Sequence, residues 1–157
     1  MRQRKTVSAE RNIRTNFAFY PPEEDQAAWG TTLESLERAL RQAFPELTVE
    51  YRISGVHRLR VLDFEIELAP DVWIDGTAAM PRPEYAFVTL TDVTADEAAV
   101  FARWLRDSVV PAPHLVRFAS SLAMANGEQD TWPLPAEGGV GEIVAELRRH
   151  LASVEGG

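Results

Sequence analysis

Carboxylates dominate the stretch between Val61 and Glu97. It contains a single basic residue, Arg82, and nine acidic residues: Asp63, Glu65, Glu67, Asp71, Asp75, Glu84, Asp92, Asp96 and Glu97. Because Asp63, Glu65 and Glu67 alternate along a predicted strand, their side chains project from one face and the apolar residues between them from the other. Carboxylates grouped in this way can hold a cation or attract a positively charged partner.

A carboxylate ladder of this kind predicts a surface for a basic protein. Like charges opposite one another destabilise a sheet by up to about 1 kcal/mol per pair, and a positively charged partner recovers that penalty. We expect the three alternating carboxylates to face outward, without neutralising partners in the chain. If the Ala69-Pro70 turn closes a hairpin, Asp71 and Asp75 fall near them, and nearby aromatic residues supply anchors. The predicted partner-binding residues are Asp63, Glu65, Glu67, Asp71, Trp73, Asp75 and Tyr85.

Two further hypotheses for the same carboxylates stay open. The first is a plain solvated face in an acidic protein. The second is a site for Mg²⁺ or Ca²⁺, which take several carboxylate ligands. The spacing matches no EF-hand loop, and no lysine stands nearby as a metal-dependent nuclease would usually require. We therefore predict no metal ion and no cofactor.

Residue types that commonly carry catalysis are scattered along the chain. His57, His114 and His150 form no H-x-x-x-H or H-E-x-x-H motif, so we expect structural or solvated roles, with His150 on the polar side of the last helix. The serine pair at 120–121 lies outside any G-x-S-x-G elbow. The glycine-rich stretch 138–141 lacks a phosphate-binding motif and predicts a flexible entry to a helix. No catalytic residue is predicted, which favours a binding protein over an enzyme.

Hydrophobic periodicity and turn residues predict the elements that position these side chains. Strands are predicted at 15–20, 47–53, 58–68, 72–74, 85–91 and 115–119, and helical segments at 23–43, 94–108 and 140–154. The first helical segment is either one kinked helix or a short helix followed by a longer one, since Gly30 interrupts it.

Local signals set several of these boundaries. Thr31 with Glu34, and Thr94 with Glu97, have the spacing of capping boxes at helix N-termini. The Asp75-Gly76 pair predicts a turn after the short fourth strand. Residues 120–139 are rich in turn-forming residues, and we expect an aromatic side chain, Trp132, to hold this loop in place.

The predicted order is β-α-β-β-β-β-α-β-α. Consecutive strands joined by short turns imply antiparallel pairing, with the amphipathic helices covering a face. We predict an α+β fold: a two-layer sandwich with a mainly antiparallel sheet of five to six strands and about three helices. Residues 14–157 form the single domain, preceded by a basic, flexible N-terminal arm at 1–13.

Composition excludes several classes of protein. The 157 residues include no cysteine, which excludes disulfides, thiolate zinc sites and cysteine nucleophiles. No apolar run approaches the roughly 20 residues of a membrane span, so we expect no membrane association and a cytoplasmic location. Residues 1–14 carry five basic residues and one acidic residue, whereas the rest carries 11 basic and 23 acidic residues. Because such a body repels phosphate backbones, we expect it not to bind nucleic acid.

Charge and size together favour a non-enzymatic binding protein whose acidic sheet face engages a basic protein. By analogy of charge alone, such a protein resembles an immunity protein or antitoxin, or a small acidic secretion chaperone. The alternative is a small-ligand-binding protein or enzyme with a pocket near Arg52, His57, Tyr85 and His114. A homodimer with a mainly scaffolding role is a third hypothesis.

Overall fold

The chain is organised around one antiparallel sheet. The computed structural model describes residues 13–156, so the basic arm predicted at 1–13 lies almost wholly outside the described residues. The strands are β1 (Thr15–Tyr20), β2 (Thr48–Ser54), β3 (Leu59–Ala69), β4 (Val72–Arg82), β5 (Tyr85–Val93), β6 (Arg117–Ser120) and β7 (Trp132–Pro133). The helices are α1 (Leu33–Ala43), α2 (Ala95–Trp104), α3 (Ser121–Ala125) and α4 (Val140–Gly156), and α2 continues into a π-helical turn, Leu105–Val109.

The strands follow the order β2-β3-β4-β5-β1-β6-β7 across the sheet. Hairpins connect β2 to β5 in sequence, and β1 then pairs with β5 on one side and β6 on the other. Two of the hairpin turns use proline followed by an acidic residue with positive φ, which is 64° at Asp71 and 67° at Glu84. Proline fixes φ for the first turn position, and the left-handed residue after it completes the reversal.

The helices cover one face of the sheet and form the core with it. On α1, Leu33, Leu36 and Leu40 face inward, as their spacing predicts. They join a buried cluster that includes the aromatic rings of Phe17, Phe19, Phe64, Phe101 and Phe118. Full burial of each such side chain stabilises the fold by about 1.5–3 kcal/mol.

The predicted α+β class and the antiparallel two-layer arrangement are confirmed. The sheet has seven strands, against five to six predicted, because the two-residue β7 pairs with β6. There are four helices within the described residues, against about three, because the Ser120 side chain caps the short α3. The capping box Thr94–Glu97 is confirmed, whereas the cap of α1 is Thr32, one residue after the predicted one, in a box with Ser35. The predicted helical segment 23–43 is wrong for its first part, since residues 23–32 are not helical and form turns.

The predicted turn at Asp75-Gly76 is wrong, because β4 runs unbroken through both residues. Gly76 lies inside the strand, where the ring of Phe64 packs over it. A Cβ at this position would lie 2.3 Å from Cζ of that ring. Glycine here therefore permits a close aromatic contact within the sheet, not a reversal of the chain.

Of the helices within residues 13–156, none combines the length and the apolar composition of a membrane span.

Candidate protein-binding surface

The second face of the sheet, called here the open face, carries the predicted carboxylates. Along β3, Leu62, Phe64 and Ile66 are buried on the helix side, and Glu65 between them is exposed. The alternation follows from the two-residue repeat of a strand, with one side facing the core. The prediction that Asp63, Glu65 and Glu67 share a face opposite the core residues agrees with this geometry.

Strand register gathers five carboxylates on this face into one group, the acidic band: Glu50, Asp63, Glu65, Glu67 and Asp75. Glu50 on β2 lies directly opposite Asp63 on β3, and Glu65 lies directly opposite Asp75 on β4. Threonines flank the band, and the surface between the strands forms a shallow groove of about 400 Å³. Glu50 was not among the predicted site residues, although its alternation with Val49 and Tyr51 along β2 is the signal that could have placed it on this face.

One member of the band, Asp63, is neutralised within the chain. The guanidinium of Arg52 donates to both of its carboxylate oxygens, with Nη2 to Oδ1 at 3.3 Å, and the Thr77 hydroxyl donates at 2.7 Å. The hydrogen bond from Arg52 is the main cause that holds the pKa of Asp63 below its usual value. The expectation of three unneutralised carboxylates is therefore wrong for Asp63.

The remaining carboxylates of the band form no ion pair with any residue between 13 and 156. Glu50, Glu65 and Asp75 are exposed, and Glu65 and Asp75 oppose each other without an intervening positive charge. Glu67 accepts a hydrogen bond of 3.0 Å from the backbone N–H of Asp71, which closes the β3–β4 turn. The uncompensated charge is therefore centred on Glu65 and Asp75.

The two predicted aromatic anchors lie at opposite ends of the open face. Trp73 is opposite Glu67, beside the acidic band, and 45% of its surface is exposed. Tyr85 begins β5, six residues from the position that pairs with Asp75, which corresponds to about 20 Å along the strand. Trp73 can thus contribute to the same contact as the band, whereas Tyr85 belongs to a different part of the surface.

At the Tyr85 end, the open face forms a pocket of about 300 Å³, called here the tyrosine pocket. Tyr20 and Tyr85 form part of its floor, and both rings pack against Phe87, with centroids 5.4 and 5.9 Å away. Its rim comes from the segment after β1, from α3 and from the loop before β7, and includes Glu23, Gln26, Met124, Glu128, Asp130 and Thr131. The pocket was not predicted, because its walls are about 100 residues apart in the chain.

The residues of the alternative ligand pocket do not converge. Arg52 on β2 is separated from Tyr85 on β5 by the two intervening strands. His57 is exposed in the β2–β3 turn, and His114 is exposed in a 3-10 turn before β6. Of these four residues, Tyr85 alone lines the tyrosine pocket.

His150 is fully buried, so its predicted place on the polar side of the last helix is wrong. Its Nε2 lies 2.9 Å from the hydroxyl of Ser120, and its ring is perpendicular to that of Trp132, 4.7 Å away. Burial lowers the pKa of His150. The Ser120 hydroxyl also accepts from the backbone of Ala123 and is itself buried, so this pair is a structural contact within the core.

Two side chains hold the long loop before α4. Trp132 packs on His150 and donates from its indole nitrogen to Glu128 at 2.8 Å, in agreement with its expected role. The second is Arg106, which is buried and donates to the carbonyls of Pro135 (2.9 Å) and Gly138 (2.7 Å). A buried arginine was not predicted, because besides the adjacent Asp107 its partners are carbonyls about 30 residues away in the chain.

No family model, curated protein or solved structure matches the chain. Within the described part of the chain, no group of three or more histidine or acidic side chains is arranged to hold a metal ion.

Proposed function

We propose that this protein is a non-enzymatic binding protein that engages a basic protein partner through the acidic band. The observation that carries the proposal is the register that sets Glu65 directly opposite Asp75 on an exposed sheet face. Like charges in opposing positions destabilise the sheet when the protein is alone. Lysine and arginine side chains of a partner remove this repulsion and gain charge-assisted hydrogen bonds.

The composition of the band favours a basic protein over other partners. Its excess of carboxylates repels nucleic acid phosphates, and the neighbouring Arg52 is already paired with Asp63. Trp73 at the edge of the band offers exposed aromatic surface of the kind that forms the energetic centre of protein interfaces. The acidic net charge of the chain also speeds encounter with a basic partner at low salt.

Two roles are compatible with such a surface. The protein can neutralise a basic toxin or nuclease, as immunity proteins do, or accompany an export substrate, as small acidic secretion chaperones do. Both roles are analogies of charge and size, and we place either of them in the cytoplasm as part of this proposal.

The proposal is tested by affinity capture from the native source with the full chain as bait, followed by kinetics with the captured protein. Glu65→Lys and Asp75→Lys are each expected to weaken binding by about tenfold, mostly through a slower association rate. The association rate of the wild type is expected to fall steeply as salt is raised.

Glu137→Lys is the matched control, since this exposed glutamate lies in the loop before α4 and undergoes the same change of charge. It is expected to leave affinity within about twofold of the wild type, because Glu137 follows β7, at the sheet edge opposite β2, and screening weakens charges at such a separation. Equal losses in all three variants would show that net charge alone matters, and no loss in any of them would refute the proposed surface.

A further inference from the structure

We infer that the tyrosine pocket is a binding site for an alkylammonium or guanidinium group. The pocket lies on the open face but about 20 Å from the acidic band. The inference therefore does not depend on the proposed function. Its volume of about 300 Å³ is at the small end of the range for ligand-binding clefts. A group the size of an amino-acid side chain or a short organic amine fits such a space.

The aromatic floor is suited to a cation. The ring of Tyr85 already binds a cation of the chain, because the guanidinium carbon of Arg82 lies 5.5 Å from its centroid, within the range of a cation–π contact, so a ligand cation would contact the ring of Tyr20. The hydroxyls of Tyr20 and Tyr85 form no hydrogen bond with any residue between 13 and 156, so both are available to accept N–H groups. Burial raises the pKa of both phenols, which keeps them neutral.

Carboxylates surround the floor. Glu23, Glu128 and Asp130 line the pocket, and the two arginines at its border are engaged with lining residues, Arg82 with Gln26 and Arg117 with Thr131. One carboxylate is held in position, because Oε1 of Glu128 accepts the indole N–H of Trp132 at 2.8 Å. Its second oxygen is left to accept a hydrogen bond from a ligand.

The amide of Gln26 is fixed in a similar way, since Oε1 accepts from Arg82 at 2.6 Å. The polar groups of the pocket are therefore partly preorganised, which lowers the entropic cost of binding. An anion would be repelled by three carboxylates, and a purely apolar ligand would desolvate them without compensation. A cation with N–H donors satisfies the carboxylates, the phenol oxygens and the aromatic faces together.

The experiment compares two ligands of similar shape, n-butylguanidinium and the neutral n-butylurea, by NMR titration of the full chain. Butylguanidinium is expected to shift the amide signals of residues 128–131 saturably, and butylurea to bind at least about tenfold more weakly. Equal affinity for the two ligands, or no saturable shift with butylguanidinium, would overturn the inference.

Glu128→Gln provides the matched variant, because the glutamine side-chain oxygen can still accept from Trp132 and the fold is kept. It is expected to weaken butylguanidinium binding by about two- to fivefold, as for one partly exposed charge. Glu137→Gln removes one charge outside the pocket and is expected to leave the affinity unchanged. Identical losses in both variants would show a general charge effect and refute the site.

A second titration identifies the source of the cation. If it is a protein side chain, an octa-arginine peptide is expected to bind more tightly than butylguanidinium and to shift the same amides. If it is a small molecule, the peptide is expected to bind no more tightly than butylguanidinium, and spermidine to shift these amides. Glu65→Lys is expected to leave butylguanidinium binding unchanged, so failure of the acidic band and failure of this pocket are distinguished.

Discussion

Glu65→Gln is expected to stabilise the protein, because it removes the charge at the centre of the acidic band while keeping the size of the side chain. Glu65 is directly opposite Asp75, and Asp63 and Glu67 lie two residues away on the same face. Only Asp63 among these neighbours is neutralised by an arginine. The substitution therefore removes repulsion without breaking any ion pair or side-chain hydrogen bond of the described residues.

The magnitude follows from the geometry of the pair. Opposing side chains on a sheet have Cβ atoms about 4.5–5.5 Å apart, so the two carboxylates are about 6 Å apart. Two unit charges at that distance in water repel each other by about 0.7 kcal/mol. Including the neighbouring Glu67, we expect a gain of about 0.5–1 kcal/mol at low salt, or about 2 °C in Tm.

Thermal unfolding followed by circular dichroism, at low and high salt, measures this gain. The Debye length falls from about 30 Å at 0.01 M to about 3 Å at 1 M, so most of the gain is expected to disappear at the higher ionic strength. Glu137→Gln serves as the control and is expected to change Tm by much less. A Glu65→Gln variant that is destabilised at low salt, or stabilised equally at both salt concentrations, would refute the electrostatic account of the band.

Three further predictions concern the core and the loop. Gly76→Ala is expected to destabilise the protein by about 1–3 kcal/mol in urea unfolding, because a Cβ would lie 2.3 Å from Cζ of Phe64; an unchanged midpoint would contradict this packing. The free energy of unfolding is expected to fall as pH decreases below about 6.5, by up to about 1.4 kcal/mol per pH unit, because burial lowers the pKa of His150 and the unfolded chain takes up its proton at a higher pH than the folded chain. His150→Gln is expected to flatten this dependence between pH 6.5 and 5.5, and equal slopes in the two proteins would exclude His150 as its cause. Arg106→Met is expected to speed amide hydrogen exchange in residues 130–139, because the carbonyl of Gly138 loses its donor, and unchanged exchange would show that the loop is held without it.

Much of the fold was predictable because its signals are local. Alternation along β3 predicted which of its residues face the core, and the spacing of Thr94 and Glu97 predicted the start of α2. Proline followed by Asp71 predicted the β3–β4 turn. The turn predicted at Asp75-Gly76 was wrong because the signal there is not local. Glycine is required at this position by the ring of Phe64, a residue on the neighbouring strand.

The candidate sites depended on contacts that a single sequence does not reveal. The pairing of Asp63 with Arg52 follows from the β2–β3 register, which sets a residue 11 positions away beside it. The tyrosine pocket requires β1 to lie between β5 and β6, so that Tyr20 meets Tyr85 and the loop before β7. His150 was placed in solvent because histidine is polar, although Ile143 and Leu147, seven and three residues before it, lie on the same buried face of α4, where Ser120 and Trp132 enclose it.

Carboxyl labelling of the protein, alone and in complex with its captured partner, tests the proposed surface most directly. Carbodiimide coupling to glycine ethyl ester modifies exposed carboxylates, and mass spectrometry measures the rate at each position. The account predicts that Glu65 and Asp75 react readily in the free protein and become protected in the complex, while Glu137 reacts equally in both. Protection elsewhere, with unchanged reactivity at Glu65 and Asp75, would contradict it.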